Sequence, residues 1–359
     1  MAQKLFLWLT GIGSFVLLLE LLFRVLPVST STEAGYYTDS LILNYPPHHR
    51  WTIATGWDLR NAQHLRSNNF GYVANRDLAR NEQAVALIGD SFIEASMLAA
   101  SDRPDVQLER ALGSRPVFAM GSPGTALLDY AERIRFAHEN FGVRDFVVLM
   151  ERGDVKQSLC GSGNIKGRCL DPKTLAARNE KIPAPGTAKR IFRHSALAQY
   201  VFGQLMFSPH KLWQQAFSPP PPHSAATLVT ARATPADFPN QLQVVPPFVE
   251  VVTTAFFDRI KPFATGKLVI VLDSDRGALA SGQSAADPSR ARFIELARAA
   301  GAIVVDTEPL FQAHFADSSL TLDVGPYDGH LNPLGVSLVM NAAAKALISR
   351  HHLDDRVIP

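Results

Sequence analysis

Short, unbroken apolar runs, separated by turn residues and amphipathic stretches, constrain this chain more than any other feature. Residues 84–88, 116–120, 145–150, 267–272 and 302–305 are runs of this kind, two of them opening on a charged residue, Asp145 and Lys267. Each has the length and composition of a strand buried on both faces. Helical patterning follows several of them, at 126–140, 289–300 and 333–349. Strands that alternate with helices predict a parallel sheet covered on both sides. In such sheets ligands gather at the carboxyl ends of the strands. Four of the runs end in polar or glycine-rich clusters: Gly89-Asp90-Ser91, Gly121-Ser122-Pro123-Gly124, Glu151-Arg152-Gly153-Asp154 and Asp273-Ser274-Asp275-Arg276.

The first run carries the first chemical signal. A buried strand that breaks at Gly89 and restarts as a helix at Phe92-Ile93-Glu94-Ala95 lifts the intervening side chain above the sheet edge. Ser91 would there combine an exposed hydroxyl with a backbone N–H at a helix N-terminus, where developing negative charge is favoured. That is a position for a nucleophile. The plainer reading is that Asp90 or Ser91 only caps the helix, since both are good N-cap residues.

Composition bounds the partners. The 359 residues, 47% hydrophobic and 19% charged, can bury a sizeable core in one large domain or two ordinary ones. The net charge of +2 and the absence of a basic-aromatic stripe argue against nucleic acid as a partner.

Residues 5–26 are almost entirely apolar, interrupted by Glu20 and Arg24, with Lys4 before them and Pro27 after. At about 1.5 Å per residue such a run reaches across the ~30 Å hydrocarbon layer. A membrane anchor, a cleaved signal peptide and a buried core helix all fit a stretch of this kind. The run is longer than a typical signal core and no clear Ala-x-Ala site follows it, which favours an anchor over residues 1–27. The expected arrangement is a single pass of the cytoplasmic membrane, with the N-terminus inside and an exported, periplasmic body. Cys160 and Cys169 flank a short polar loop that a disulfide would close in an oxidising compartment, in keeping with export. Two unrelated thiols are the alternative. The spacing is a poor zinc pattern, and nothing in the sequence calls for a metal or cofactor.

Residues 28–83 read as a juxtamembrane segment and approach to the fold, with Tyr36, Tyr37, Tyr45, Trp51 and Trp57 expected to pack onto the domain rather than stack on sugar, and a tight turn at Asn68-Asn69-Phe70-Gly71-Tyr72. The main domain is expected over 84–350. Its alternation breaks at about 155–260, a stretch that holds the cysteine loop, a possible helix at 196–207 and Ser218 followed by four prolines. A proline run excludes helix and central strand, so the interval reads as an insertion or lid.

The second chemical stretch is Tyr327-Asp328-Gly329-His330-Leu331-Asn332-Pro333. An Asp two residues before a His could hold the imidazole while its other nitrogen faces a serine, which needs such a base to become nucleophilic. A helix-entry turn explains Asn332-Pro333 but gives no reason for Asp328 and His330. His194, next to Ser195, follows no strand and is not expected to be catalytic. Asp273 and Asp275, at the active edge, could contact substrate or shape the pocket, but surface solvation is the expected role.

Together, Gly89-Asp90-Ser91-Phe92 and Asp328-Gly329-His330-Leu331-Asn332 make the chain resemble the GDSL/SGNH hydrolase superfamily over residues 84–349, apart from the 155–260 interval. The resemblance implies a flavodoxin-like three-layer α/β/α fold and cleavage or transfer of acyl esters. It makes Ser91 the nucleophile, His330 the general base and Asp328 its orienting carboxylate. Gly124 would supply an oxyanion-hole amide beside that of Ser91.

Two departures stand out. The common Asp-x-x-His spacing is Asp-x-His here, as in some polysaccharide-acetylation members. In the third block, Gly153 occupies the position of the usual oxyanion-hole asparagine. Losing such a donor costs ~10²–10³ in turnover. Arg152 could bring a guanidinium to the oxyanion, or Asn164 could reach in from the cysteine loop; equally, Arg152 could pair with Glu151 or Asp154. The expectation is a membrane-anchored esterase or acyltransferase acting on acyl, above all acetyl, esters of envelope or exported polysaccharide. A catalytically weakened glycan-binding or envelope-assembly protein is the alternative.

Overall fold

The computed structural model describes residues 1–162, 167–205, 245–283, 286–325 and 328–349. Asn164, Tyr327 and the proline run after Ser218 lie outside these residues. The chain divides into two compact units: Met1–Ser31, Ala54–Ala62 and Pro185–Val244 in one, and Thr32–Ile53, Gln63–Ala184 and Val245–Pro359 in the other.

The second unit is built on the expected sheet. Its strands are β1 (Val85–Gly89), β2 (Val117–Gly121), β3 (Asp145–Met150), β4 (Leu268–Leu272) and β5 (Ile303–Asp306). They pair in the order β5-β4-β3-β1-β2, all parallel. That order reverses direction between β1 and β3, the switch point at which doubly wound sheets open a crevice at their carboxyl edge. β1, β2 and β4 are buried throughout, which is why they read as continuous apolar runs and not as alternating ones.

Successive residues along each strand serve opposite layers. Ala86, Ile88, Phe146, Val148 and Ile270 pack with the helices Leu127–Phe141, Pro247–Ile260 and Pro288–Ala299. Val85, Leu87, Val147, Leu149 and Val269 pack with Pro104–Ala111, Thr307–Asp317 and Pro333–Ile348. The result is a three-layer α/β/α sandwich.

One boundary differs from the sequence reading. Residues 247–260, counted there as the end of the insertion, form a helix of the sandwich itself. Val249, Val252, Thr253, Phe256 and Ile260 recur at helical spacing and are buried, with Val252, Phe256 and Ile260 in the core shared with the sheet. The preceding prolines hid this periodicity.

The approach segment is ordered by its own contacts. Tyr45, Trp51, Leu65 and Val73 form a small separate core. The expected turn forms, with the Asn68 side-chain oxygen accepting from the amides of Phe70 and Tyr72 at 2.9 and 3.0 Å. Trp57, expected to pack, is 73% exposed in the first unit.

The first unit contains the helix Ala2–Val25, with no buried residue. Among the described residues it is the one helix long and apolar enough to cross a membrane, a test that a signal sequence also passes. Of the helix expected at 196–207, the described part is a single α-turn, Ala196–Ala198, continued by the π-turn Gln199–Gln204, and residues 206–207 lie outside the described residues.

Candidate active site

β1 delivers its last residue to the sheet edge and the chain turns at Asp90, with φ −96° and ψ −133°. The Asp90 carboxylate accepts from the Phe92 amide at 2.8 Å and caps the short helix Ser91–Glu94. Capping by Asp90 therefore leaves the Ser91 side chain available for other chemistry.

That side chain meets the second chemical stretch. Ser91 Oγ lies 2.8 Å from His330 Nε2, and His330 Nδ1 lies 2.6 Å from Asp328 Oδ1. The same carboxylate oxygen accepts from the His330 amide at 3.1 Å, which fixes the acid relative to the ring. The short Asp-x-His spacing suffices because Asp328–Leu331 is a strand, paired antiparallel with Asp323–Gly325. Alternate residues of a strand point to one side, so residues two apart share a face. Asn332 then caps the helix Pro333–Ile348 by accepting from the Gly335 amide at 2.9 Å.

With its Nδ1 proton held by Asp328, the imidazole presents the Nε2 lone pair to the serine O–H. Burial disfavours the imidazolium, but the Asp328 hydrogen bond and the charges of Asp328, Asp90 and Glu94 outweigh it, so the His330 pKa is raised above its ordinary value. The Asp328 pKa is lowered, first by its hydrogen bond to His330.

The second strand end closes on the first. A Cβ at Gly121 would lie 2.8 Å from the Asp90 carbonyl oxygen and would meet the Glu94 amide nitrogen closer still, so only glycine lets β2 pass the nucleophile turn. The Ser122 amide donates to the Gly89 carbonyl at 3.3 Å, and Thr125 Oγ1 donates to the Ser122 carbonyl at 2.6 Å. Gly124 sits in this turn at φ +71°, a conformation glycine adopts without strain. Among the described residues, no group accepts from the Ser91 or Gly124 amide.

The third strand end is arranged differently. Arg152 Nη1 donates to Asp275 Oδ2 at 2.5 Å, a partner the sequence reading did not consider. The Gly153 amide donates to Glu151 Oε2 at 2.6 Å, and Gln157 Nε2 donates to the same oxygen at 3.3 Å. Asp154 turns inward, accepting from the Glu151 amide at 2.8 Å and from Tyr130 Oη at 3.0 Å. Burial pushes the Asp90 pKa up to about 6 and that of Asp154 well above the carboxylate range.

Sequence reasoning missed Arg276 and misread Asp273. Asp273 is 4% exposed, not a solvated surface acid, and pairs with Arg276 Nη1. Arg276 Nε donates to Asp323 Oδ1 at 2.6 Å and Nη2 donates to the Gly329 carbonyl, between Asp328 and His330. Its guanidinium also lies 5.6 Å from the Phe92 ring centroid, and Phe92 lies 4.9 Å from the His330 ring. One buried cation thus joins the residue after the nucleophile to the loop of the base. An Asp-x-Asp-Arg cluster ending a strand was the only signal. From the other side, buried Arg133 donates to the Gly89 carbonyl at 2.8 Å.

Cys160 and Cys169 are joined by a disulfide, with Cα atoms 5.1 Å apart. His194 contacts Arg24 through its backbone carbonyl.

No protein-family model and no curated protein matches the chain. Among solved structures it is similar to an alpha/beta hydrolase enzyme from the metagenome of Lake Arreo, at 16% identity over 76% of this chain and 99% of that one, with a TM-score of 0.36. It is also similar to an acetyl xylan esterase, at 12% identity, 74% and 100% coverage and a TM-score of 0.38. A third is a member of the lipolytic protein G-D-S-L family from Veillonella parvula, at 11% identity, 73% and 96% coverage and a TM-score of 0.34.

Proposed function

We propose that the protein is a serine-dependent ester hydrolase of the SGNH type. The observation that carries this reading is the unbroken hydrogen-bond chain from Ser91 Oγ through His330 to Asp328. In the proposed reaction Ser91 Oγ attacks the ester carbonyl carbon while its proton passes to His330 Nε2, and Asp328 stabilises the imidazolium. The amides of Ser91 and Gly124 receive the oxyanion. His330 returns the proton to the departing alcohol, and water, activated in the same way, releases the acid from Ser91. Delivery of the acyl group to a second alcohol instead of water would make the same site an acyltransferase.

The substrate class proposed is an acyl ester, above all acetyl, of envelope or exported polysaccharide. Residues 2–25 as a single-pass anchor and the Cys160–Cys169 bridge support an extracytoplasmic body. A second reading, a binding protein with weakened catalysis, draws support from the third strand end, where Glu151 occupies the Gly153 amide.

Labelling with a fluorophosphonate probe, beside turnover of p-nitrophenyl acetate, tests the proposal. Wild type is expected to label and turn over, and Ser91→Ala to do neither. His330→Ala is expected to lose on the order of 10⁴-fold or more in turnover. Turnover that survives both substitutions would refute the triad. Absent turnover with retained glycan binding would favour the second reading.

A further inference from the structure

The last turns of the helix Ala2–Val25 are tied to a segment far along the chain. The Glu20 carboxylate accepts from Ser195 Oγ at 2.8 Å and from the Ala196 and Leu197 amides at 3.1 Å. Arg24 Nε donates to it at 2.8 Å and Arg24 Nη2 donates to the His194 carbonyl at 3.2 Å. Phe23 stacks on Tyr200 with ring centroids 4.2 Å apart. A carboxylate in an apolar span is costly unless partnered. Here residues 195–197 supply three of its donors, so they accompany the helix wherever its last turns lie.

Those turns belong at the membrane boundary. From Leu5 to Arg24 the helix rises about 29 Å, close to the ~30 Å hydrocarbon layer, which brings Arg24 to the headgroups and sets Glu20 about one turn, roughly 6 Å, beneath them. The companion segment exposes what an interface requires. Ile191, Phe192, Phe202 and Leu205 are 65%, 52%, 49% and 43% exposed. The Phe192 and Phe202 rings lie 5.7 Å apart and make one patch. Lys189 and Arg190 are exposed beside it. Tyr200 Oη donates to the Trp57 carbonyl at 2.8 Å, adding an exposed indole. An aromatic and aliphatic face bordered by cations suits the boundary between anionic headgroups and acyl chains.

We infer that residues 187–205 lie in the headgroup region of the lipid bilayer, held there by Glu20, and form a second membrane contact beside the span. This rests on the reading of residues 2–25 as a membrane anchor. Neither the lone Glu20 nor the short helices call for this pairing by themselves; their contacts do.

The test uses the full chain in liposomes containing anionic lipid, with a polarity-sensitive fluorophore on Phe202→Cys or, independently, Leu205→Cys. Ser101→Cys, exposed in the sandwich unit, is the aqueous reference. On incorporation the labels at 202 and 205 are expected to shift to the blue. Lipids carrying a nitroxide near the headgroup should quench them at least about twofold more than lipids with a nitroxide deep in the chain. Glu20→Gln should weaken that quenching, and the Ser101 reference should not respond. Failure of the protein to float with liposomes overturns the anchor and this inference together. Flotation with aqueous, unquenched labels at 202 and 205 overturns this inference alone. Labels shielded without lipid quenching assign the patch to a second copy of the chain and also overturn it.

Discussion

The carboxyl ends of β1 and β3 are neighbours on one sheet edge, and in both a buried strand passes through glycine and an acid, Gly89-Asp90 or Glu151-Arg152-Gly153, into a short helix. At β1 the acid caps the backbone and leaves the next side chain to meet a base. At β3 the acid three residues before Asp154, Glu151, accepts from the Gly153 amide and so turns its hydrogen bonding in on the loop, while Arg152 is held by Asp275. One strand end presents its groups outward and the other satisfies them internally. Similar local sequence thus gives a reactive turn in one case and a closed one in the other, because side-chain partners and not backbone class decide which donors stay free. Oxyanion stabilisation, on this reading, falls to Ser91 and Gly124 alone.

Substitutions around β1 should therefore dominate over those around β3. The largest effect beyond the nucleophile and base is expected for Asp328→Asn, with turnover falling on the order of 10³–10⁴-fold as the imidazole loses its tautomer and orientation. Retention of more than a tenth of wild-type turnover would break the comparison at its stronger side. The pH profile sharpens it further. His330 must be neutral to accept the serine proton, and its pKa is raised, so activity should fall with decreasing pH along a limb centred above the ordinary imidazole value. Residual activity in Asp328→Asn should show that limb displaced downward.

Arg276→Gln is expected to lower kcat by about 10–10²-fold with KM little changed, since it displaces the base loop and not a substrate contact. Partial recovery in Arg276→Lys, measured with the thermal midpoint of both variants, separates positioning from loss of stability. The smallest effects belong to β3. Arg152→Ala should leave turnover within about threefold, because its guanidinium serves an exposed ion pair. Gly153→Asn should also fail to raise turnover more than about threefold, since a Cβ there would lie 2.7 Å from Glu151 Oε2. A tenfold gain in that variant would mean that the closed loop opens to substrate.

Much of the architecture was legible because it is local. Strands buried on both faces betray themselves as apolar runs, and the run at 145–150 coincides with β3 residue for residue. Ser91, Asp328 and His330 stood out because a nucleophile, a base and an orienting acid need particular residue types at strand ends. The helix Pro247–Ile260 did not stand out, since the preceding prolines made its segment resemble an insertion. Arg276 was silent for another reason. Its partners Asp323 and Gly329 lie 47 and 53 residues away, and Arg152 meets Asp275 across 123 residues.

The sequence by itself determined the alternating α/β order, the placement of chemistry at strand ends, and an apolar N-terminal helix long enough for a bilayer. Only the tertiary structure decided that Ser91, His330 and Asp328 lie within hydrogen-bond reach, that Gly153 and Arg152 are already engaged, and that Glu20 holds a distant segment. The physical reason is the range of the forces. Hydrophobic period and capping act within a turn or two of chain, whereas a hydrogen bond is made only where register and packing bring two distant groups to about 3 Å.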